Sequence, residues 1–154
     1  FFERIDEELG RSQRKNLPLS LAFIDLDNFK HINDSQGHEK GDEVLKAVAS
    51  TLSPHLRAGD ALGRLGGDEF AILLHETDHE QVKPVLTRLA RALKESPSLA
   101  NTGISFSIGV ATSNPRRSIS ADELMAIADQ AMYEIKHSTK DGIGFTVVDA
   151  SAPS

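Results

Sequence analysis

The sequence predicts an α+β domain in which helices pack on a mixed sheet. Three observations predict it. Helical and strand-like runs alternate along most of the chain. Two short apolar runs, at 61–65 and 70–74, break that alternation by flanking Gly66-Gly67-Asp68-Glu69, the pattern of a β-hairpin. A hairpin inside an otherwise alternating pattern argues against a doubly wound parallel sheet. Finally, 154 residues, 39% apolar and 26% charged, can bury one full core in one domain, 1–154.

The elements follow in order. Residues 1–16 read as a helix with Phe2, Ile5 and Leu9 on one face, broken by Asn16-Leu17-Pro18. Residues 19–26 are a nearly continuous apolar run, which predicts a buried central strand. A short helix over 28–34 is ended by Gly37. A longer helix over 39–56 carries Leu45, Val48, Ala49, Leu52 and Leu56 at helical spacing, with Pro54 kinking its last turn. After the hairpin, Asp78 caps a helix with the stripe Val82, Val85, Leu86, Leu89 and Leu93. Ile104, Phe106, Ile108 and Val110 alternate with small residues, predicting a half-buried strand. Ser120-Ala121-Asp122-Glu123 is a capping box for a helix carrying Leu124, Ile127, Ala128, Ala131 and Ile135. A last strand spans 142–148, and 149–154 read as a frayed tail. The order is αβααββαβαβ.

Composition excludes several function classes. Cysteine is absent, so disulfides and Cys-ligated zinc or iron–sulfur sites are excluded. No apolar run approaches the ~20 residues of a membrane helix. The amphipathic start FFERIDEELG, with early acid, is unlike a signal peptide, and the cytoplasm is the expected compartment, including the cytoplasmic part of a membrane-anchored protein. A net charge of −6 argues against a broad nucleic-acid surface but not against a small anionic ligand held by a metal. His31, His38, His55, His75, His79 and His137 lack metal-ligand spacing and read as structural or surface residues. There is no GxSxG elbow and no Walker A loop.

The chemistry points to acids. Asp25 and Asp27 stand at the carboxyl end of the buried strand, Asp68 and Glu69 at the hairpin tip, and Asp42 at the start of the long helix. Strand-end and hairpin-tip carboxylates brought together would offer hard oxygen ligands for Mg²⁺ or Mn²⁺, suited to phosphoryl or nucleotidyl transfer. The same residues also read as a solvated acidic turn. Asn28-Phe29-Lys30 at a strand-to-helix turn can form an anion nest with Lys30 reaching a phosphate, or simply start a helix with a surface Lys. Asn33 and Asp42 have the donors and acceptors to select guanine; equally, Asn33 ends a helix and Asp42 suits a helix's first turn.

Read together, Phe23-Ile-Asp-Leu-Asp-Asn-Phe-Lys30, Ile32-Asn-Asp34, Gly37-His38, Gly41-Asp42 and Gly66-Gly-Asp-Glu-Phe70 stand in one order. In this the chain resembles the GGDEF family of diguanylate cyclases over essentially its whole length. The resemblance implies a central mixed, mainly antiparallel five-stranded sheet flanked by helices, similar to the nucleotidyl cyclase and polymerase palm, with an extra hairpin region. It implies condensation of two GTP into cyclic di-GMP with release of two pyrophosphates. It assigns Asp25 and Asp68 as ligands of Mg²⁺ or Mn²⁺, the Leu26 carbonyl as a third, and Glu69 as a further ligand or the base for the attacking 3′-hydroxyl. Asn33 and Asp42 would read guanine, Phe29 and Lys30 would hold phosphate, and Gly66-Gly67 would let ribose and α-phosphate approach the backbone. Each domain would bind one GTP, so two would face each other across a two-fold axis as a homodimer. Arg57-Ala-Gly-Asp60 matches the family's RxxD inhibitory site for cyclic di-GMP, Arg57 forking onto guanine O6/N7 and Asp60 accepting from N1/N2, with Arg88 as an additional arginine.

The chain also departs from the family. The usual opening segment Asp-x-Leu-Thr-Gly-Leu-x-Asn-Arg is not present, so a fragment of a longer protein with an N-terminal sensory domain is expected. Where the family shows Lys-x-x-Gly-Arg-Asn, this chain has Lys136-His-Ser-Thr139-Lys140-Asp141. Lys136 matches; Lys140 keeps charge but loses the bidentate fork. These residues would face the terminal phosphates. The altered stretch supports an alternative, a catalytically weak or inactive GTP- or cyclic di-GMP-binding regulatory module.

Overall fold

The apolar run after Pro18 becomes β1 (Leu19–Asp27), buried along its whole length. A computed structural model describes residues 1–148; the expected tail at 149–154 lies outside the described residues. β1 is the middle of a five-stranded sheet in the order β2-β3-β1-β4-β5, where β2 is Ala61–Gly66, β3 is Glu69–His75, β4 is Ser105–Thr112 and β5 is Gly142–Val147. β1 runs antiparallel to both β3 and β4, β2 is antiparallel to β3, and only β4 and β5 are parallel. The sheet is therefore mixed and mainly antiparallel, as expected, and the β2–β3 hairpin is two of its strands rather than an addition to it.

Side chains on β1 alternate between two cores, as the period of a strand requires. Ala22, Ile24 and Leu26 join one cluster, covered by α2 (Phe29–Gln36), α3 (His38–Leu52) and α4 (His79–Glu95). Leu19, Leu21 and Phe23 join the other, covered by α1 (Phe2–Lys15) and α5 (Ala121–Lys136). Both predicted caps are present: Asp78 and Ser120 each accept from the backbone N–H three residues on, and Gln81 and Glu123 reach back.

Two expectations are corrected. The helix predicted over 39–56 ends at Leu52, and Ser53–His55 form a 3₁₀ turn. Pro54 has no N–H to donate to the Ser50 carbonyl, so the α ladder stops instead of kinking. The strand predicted to be half-buried is buried on both faces from Phe106 to Thr112. Its small residues lie under α5 rather than facing water. A Cβ on Gly109 would run into the Ala128 carbonyl and the Met132 backbone. Gly109→Ala should therefore push α5 off the sheet and destabilise the domain by about 2–3 kcal/mol, measured by urea denaturation. An unchanged midpoint would contradict this packing.

Candidate active site at the carboxyl end of the central strand

Strand period 2 puts Asp25 and Asp27 on the same side of β1 as Phe23, facing α5. On the neighbouring strand Glu69 lies directly across from Asp25. The hairpin tip is tied to β1 because the Leu26 N–H donates to the Asp68 carbonyl at 3.1 Å. Arg64 closes the tip from outside, donating to the Gly66 carbonyl at 3.1 Å and the Gly67 carbonyl at 3.0 Å. Carboxylate oxygens of Asp25, Asp68 and Glu69 thus gather within 4.8 Å of one another. The expected cluster forms, and the Leu26 backbone lies at the same strand end.

Its electrostatics are those of a cation site. Asp25 is 6% exposed. Lys136, in the last turn of α5, donates to Asp25 Oδ2, while Asp25 Oδ1 is buried and has no hydrogen-bond partner among the described residues. Burial pushes the Asp25 carboxyl up from its usual range; the Lys136 hydrogen bond pulls it back, the charges of Asp68 and Asp27 push it up again, and the net is upward. Glu69 is also pushed up, by burial and then by the charges of Asp25, Asp68 and Asp129. Burial works against the Lys136 ammonium, but its hydrogen bond to Asp25 and the surrounding carboxylates outweigh that and hold it above the usual lysine range. Three carboxylates against one ammonium leave a negative site with an orphaned buried oxygen. Hard oxygen donors so placed fit Mg²⁺ or Mn²⁺.

Asp27 is the residue that sequence reasoning left without a role. It is 2% exposed and accepts from Ser105 Oγ at 2.8 Å and Ser107 Oγ at 3.0 Å. The Asp141 N–H reaches it at 3.4 Å, and Lys136 Nζ lies at 4.0 Å. It ties β1, β4 and the turn after α5 into one network. Its spacing of two from Asp25 was the available signal.

Asn33 lies against Gly41, the residue before Asp42, where α2 packs on α3. A Cβ on Gly41 would overlap the Asn33 side-chain amide as it is placed and crowd the Phe29 ring, so Asn33 packs close on the glycine. Asn33 is half-buried and Asp42 exposed. The Phe29 ring is buried in the core, and its backbone stands at the N-terminus of α2. Lys30 is exposed on the same turn. Gly66 and Gly67 have neither a positive φ nor any atom within 4 Å of where a Cβ would sit. Nothing inside the fold demands glycine there. Lys140 is exposed in the turn that follows Lys136.

Arg57, Asp60 and Arg88 come together at a second place, lining a cavity of about 280 Å³ with His55, Thr77 and Gln81. The Asp60 side chain is 1% exposed, and both its oxygens are committed within the chain. Oδ2 accepts from the Arg57 N–H at 2.9 Å and from Arg57 Nε at 3.2 Å; Oδ1 pairs with His75 Nδ1 at 2.8 Å. In this state Asp60 orients Arg57 rather than facing a ligand. His75 is the partner that the sequence did not announce.

The sequence pattern described as "Diguanylate cyclase, GGDEF domain" matches residues 1–142. Diguanylate cyclase DgcP of Pseudomonas aeruginosa is 35% identical over 90% of this chain, and diguanylate cyclase DgcM of Escherichia coli is 40% identical over 80% of it. The chain spans 21% of the first and 30% of the second. The crystal structure of the GGDEF domain of YfiN (TpbB) from Pseudomonas aeruginosa superposes with a TM-score of 0.85 at 29% identity, covering 97% of this chain and 94% of that one. The active GGEEF domain of a diguanylate cyclase from Vibrio cholerae superposes with a TM-score of 0.83 at 29% identity, covering 94% and 92%. No helix among the described residues is long and apolar enough to cross a membrane. By pattern, by relatives and by fold, the chain belongs to the GGDEF-domain family of diguanylate cyclases.

Proposed function

We propose that the domain condenses two GTP into cyclic di-GMP with release of two pyrophosphates. The observation that carries this is the Asp25–Asp68–Glu69 cluster with its orphaned Asp25 oxygen. Asp25, Asp68, Glu69 and the Leu26 carbonyl would hold Mg²⁺ or Mn²⁺. When bound, such ions neutralise charge on the attacking and leaving oxygens of a phosphoryl transfer. The chain's own groups do the rest. Asn33 and Asp42 orient guanine, the N–H groups at the start of α2 with Lys30 hold phosphate, and Gly66-Gly67 let the ribose and α-phosphate approach. Lys136 and Lys140 face the terminal phosphates. Glu69, whose carboxyl burial and the neighbouring carboxylates push above its usual range, would take the proton of a 3′-hydroxyl.

One domain holds one GTP, so the two attacks need two domains across a two-fold axis. A homodimer is therefore part of the proposal, brought together by a sensory domain N-terminal to this one and working in the cytoplasm, where GTP is available. The relatives named above are longer than the matched segment, which supports such an arrangement. The test is the domain fused to a dimerising coiled coil, given GTP and Mg²⁺, with nucleotides separated by chromatography. Cyclic di-GMP and pyrophosphate are expected. Intact GTP from a folded dimer would favour a binding module instead.

The cavity beside Arg57 and Arg88 supports a second reading of that face, as an inhibitory site for the product. Two arginines in a concave setting suit the O6/N7 edge of guanine. Relief of product inhibition by Arg88→Ala, with unchanged initial rate, would bear it out.

Base selection has its own test. If Asp42 accepts from guanine N1 and N2, Asp42→Ala should raise KM for GTP about tenfold or more, the scale of a lost charged hydrogen bond. It should also erase any preference for GTP over ITP, which lacks the N2 amine. A variant that keeps this preference would remove Asp42 from base recognition.

A further inference from the structure

The turn that departs from the family pattern is held by a residue outside every motif. Lys140 and Asp141 are consecutive left-handed residues, at φ 51 and 46, a conformation costly for side chains with a Cβ. The turn begins as the end of α5, with the Lys140 N–H donating to the Ile135 carbonyl at 2.8 Å. Asp141 then faces two ways. Its backbone N–H donates to buried Asp27 Oδ2 at 3.4 Å. Its carboxylate turns to β4 and α4, where Oδ1 accepts from the Phe106 N–H at 3.5 Å and Oδ2 pairs with Lys94 Nζ at 3.1 Å. A continuous polar chain therefore runs Lys94–Asp141–Asp27–Lys136–Asp25 and ends at the acidic cluster.

We infer that Lys94 is a positioning residue for the nucleotide's terminal phosphates. This rests on the reading of the site as a GTP site. An Asp at 141 puts a carboxylate beside the place where triphosphate charge gathers, and a neutral Asn would not. Lys94 neutralises that carboxylate and draws it to the β4 side, which keeps the Asp141 N–H on Asp27 and the Lys136–Lys140 turn in place. The pair is partly solvated, so its effect is moderate.

Three variants test this: Lys94→Met, Asp141→Asn and the double variant, in the coiled-coil dimer with Mg²⁺. Binding is measured by calorimetry with a non-hydrolysable GTP analogue and, separately, with GMP. Lys94→Met should weaken the triphosphate about three- to fivefold, the upper range for a solvated ion pair, and leave GMP unchanged. In turnover it should raise KM by the same factor at constant kcat. Adding Asp141→Asn should restore binding to within about twofold, because the carboxylate that needed a counter-charge is gone. Equal losses for analogue and GMP, no loss, or no rescue would each overturn the role of Lys94. A wild-type dimer that is folded yet binds neither nucleotide would overturn the GTP-site reading itself and this inference with it.

Discussion

Asp25→Asn should abolish turnover and raise the melting temperature of the metal-free domain. The first effect is expected at about 10³-fold or more in kcat/KM, the scale of removing one preorganised charged group from a transition state. The second follows from the direction of the Asp25 shift. Burial raises its carboxyl above the unfolded value, so the native state binds the proton more tightly than the unfolded chain. That costs stability as pH rises through the window between the unfolded and the folded value, and the cost is complete above the folded value. The amide keeps the shape and carries no charge, so its gain should appear at pH 7 and shrink as pH falls below the carboxylate range. Mg²⁺ should raise the melting temperature of the wild type by mass action and that of the variant much less. A variant that loses stability at neutral pH would mean that the Lys136 pair outweighs burial, and the cluster would then be a structural ion pair. Retained turnover in the folded variant would remove Asp25 from the metal site.

The same residues show what a sequence can and cannot reveal. Element order was fully legible, because apolar periodicity and caps are local: β1 announces itself as a run, and Asp78 and Ser120 announce α4 and α5. The hairpin tip was legible as chemistry because Gly66-Gly67-Asp68-Glu69 is contiguous. What was not legible is long-range pairing. Lys136 meets Asp25 across 111 positions, and Asp141 meets Asp27 across 114. No local pattern encodes such meetings. Alternation in β4 misled for a related reason: Ser107, Gly109 and Ala111 are small because α5 sits on them, whereas small residues in a strand also read as a solvent face. The end of α3 is a subtler case, since Pro54 in a helical stripe reads as a kink and in the fold it is a stop.

The RxxD stretch carries the second large effect. Asp60→Ala should destabilise the domain by about 2–4 kcal/mol, although the residue lies far from any catalytic role. Its carboxylate is 1% exposed and holds the Arg57 N–H, the Arg57 guanidinium and both the N–H and the ring of His75. Alanine would leave these donors without their acceptor. The loop they secure also depends on Gly59, which has a φ of 95, and on Arg4, which donates to the Gly59 carbonyl at 2.9 Å. Burial alone would raise the Asp60 carboxyl, but the Arg57 and His75 hydrogen bonds outweigh it and hold it below the usual range. A depressed acid contributes stability above its unfolded pKa and loses it as pH falls through the folded value. The gap between wild type and Asp60→Ala should therefore be full at pH 6 and close only in strong acid. Arg88→Ala separates structure from ligand binding. Arg88 lines the same cavity, and among the described residues no shared partner ties it to Asp60, so its loss should leave the urea midpoint unchanged while weakening cyclic di-GMP. If Asp60→Ala instead unfolds at the wild-type midpoint, the inward network is dispensable. Asp60 would then be free to turn outward and accept from guanine N1 and N2, the role its motif first suggested.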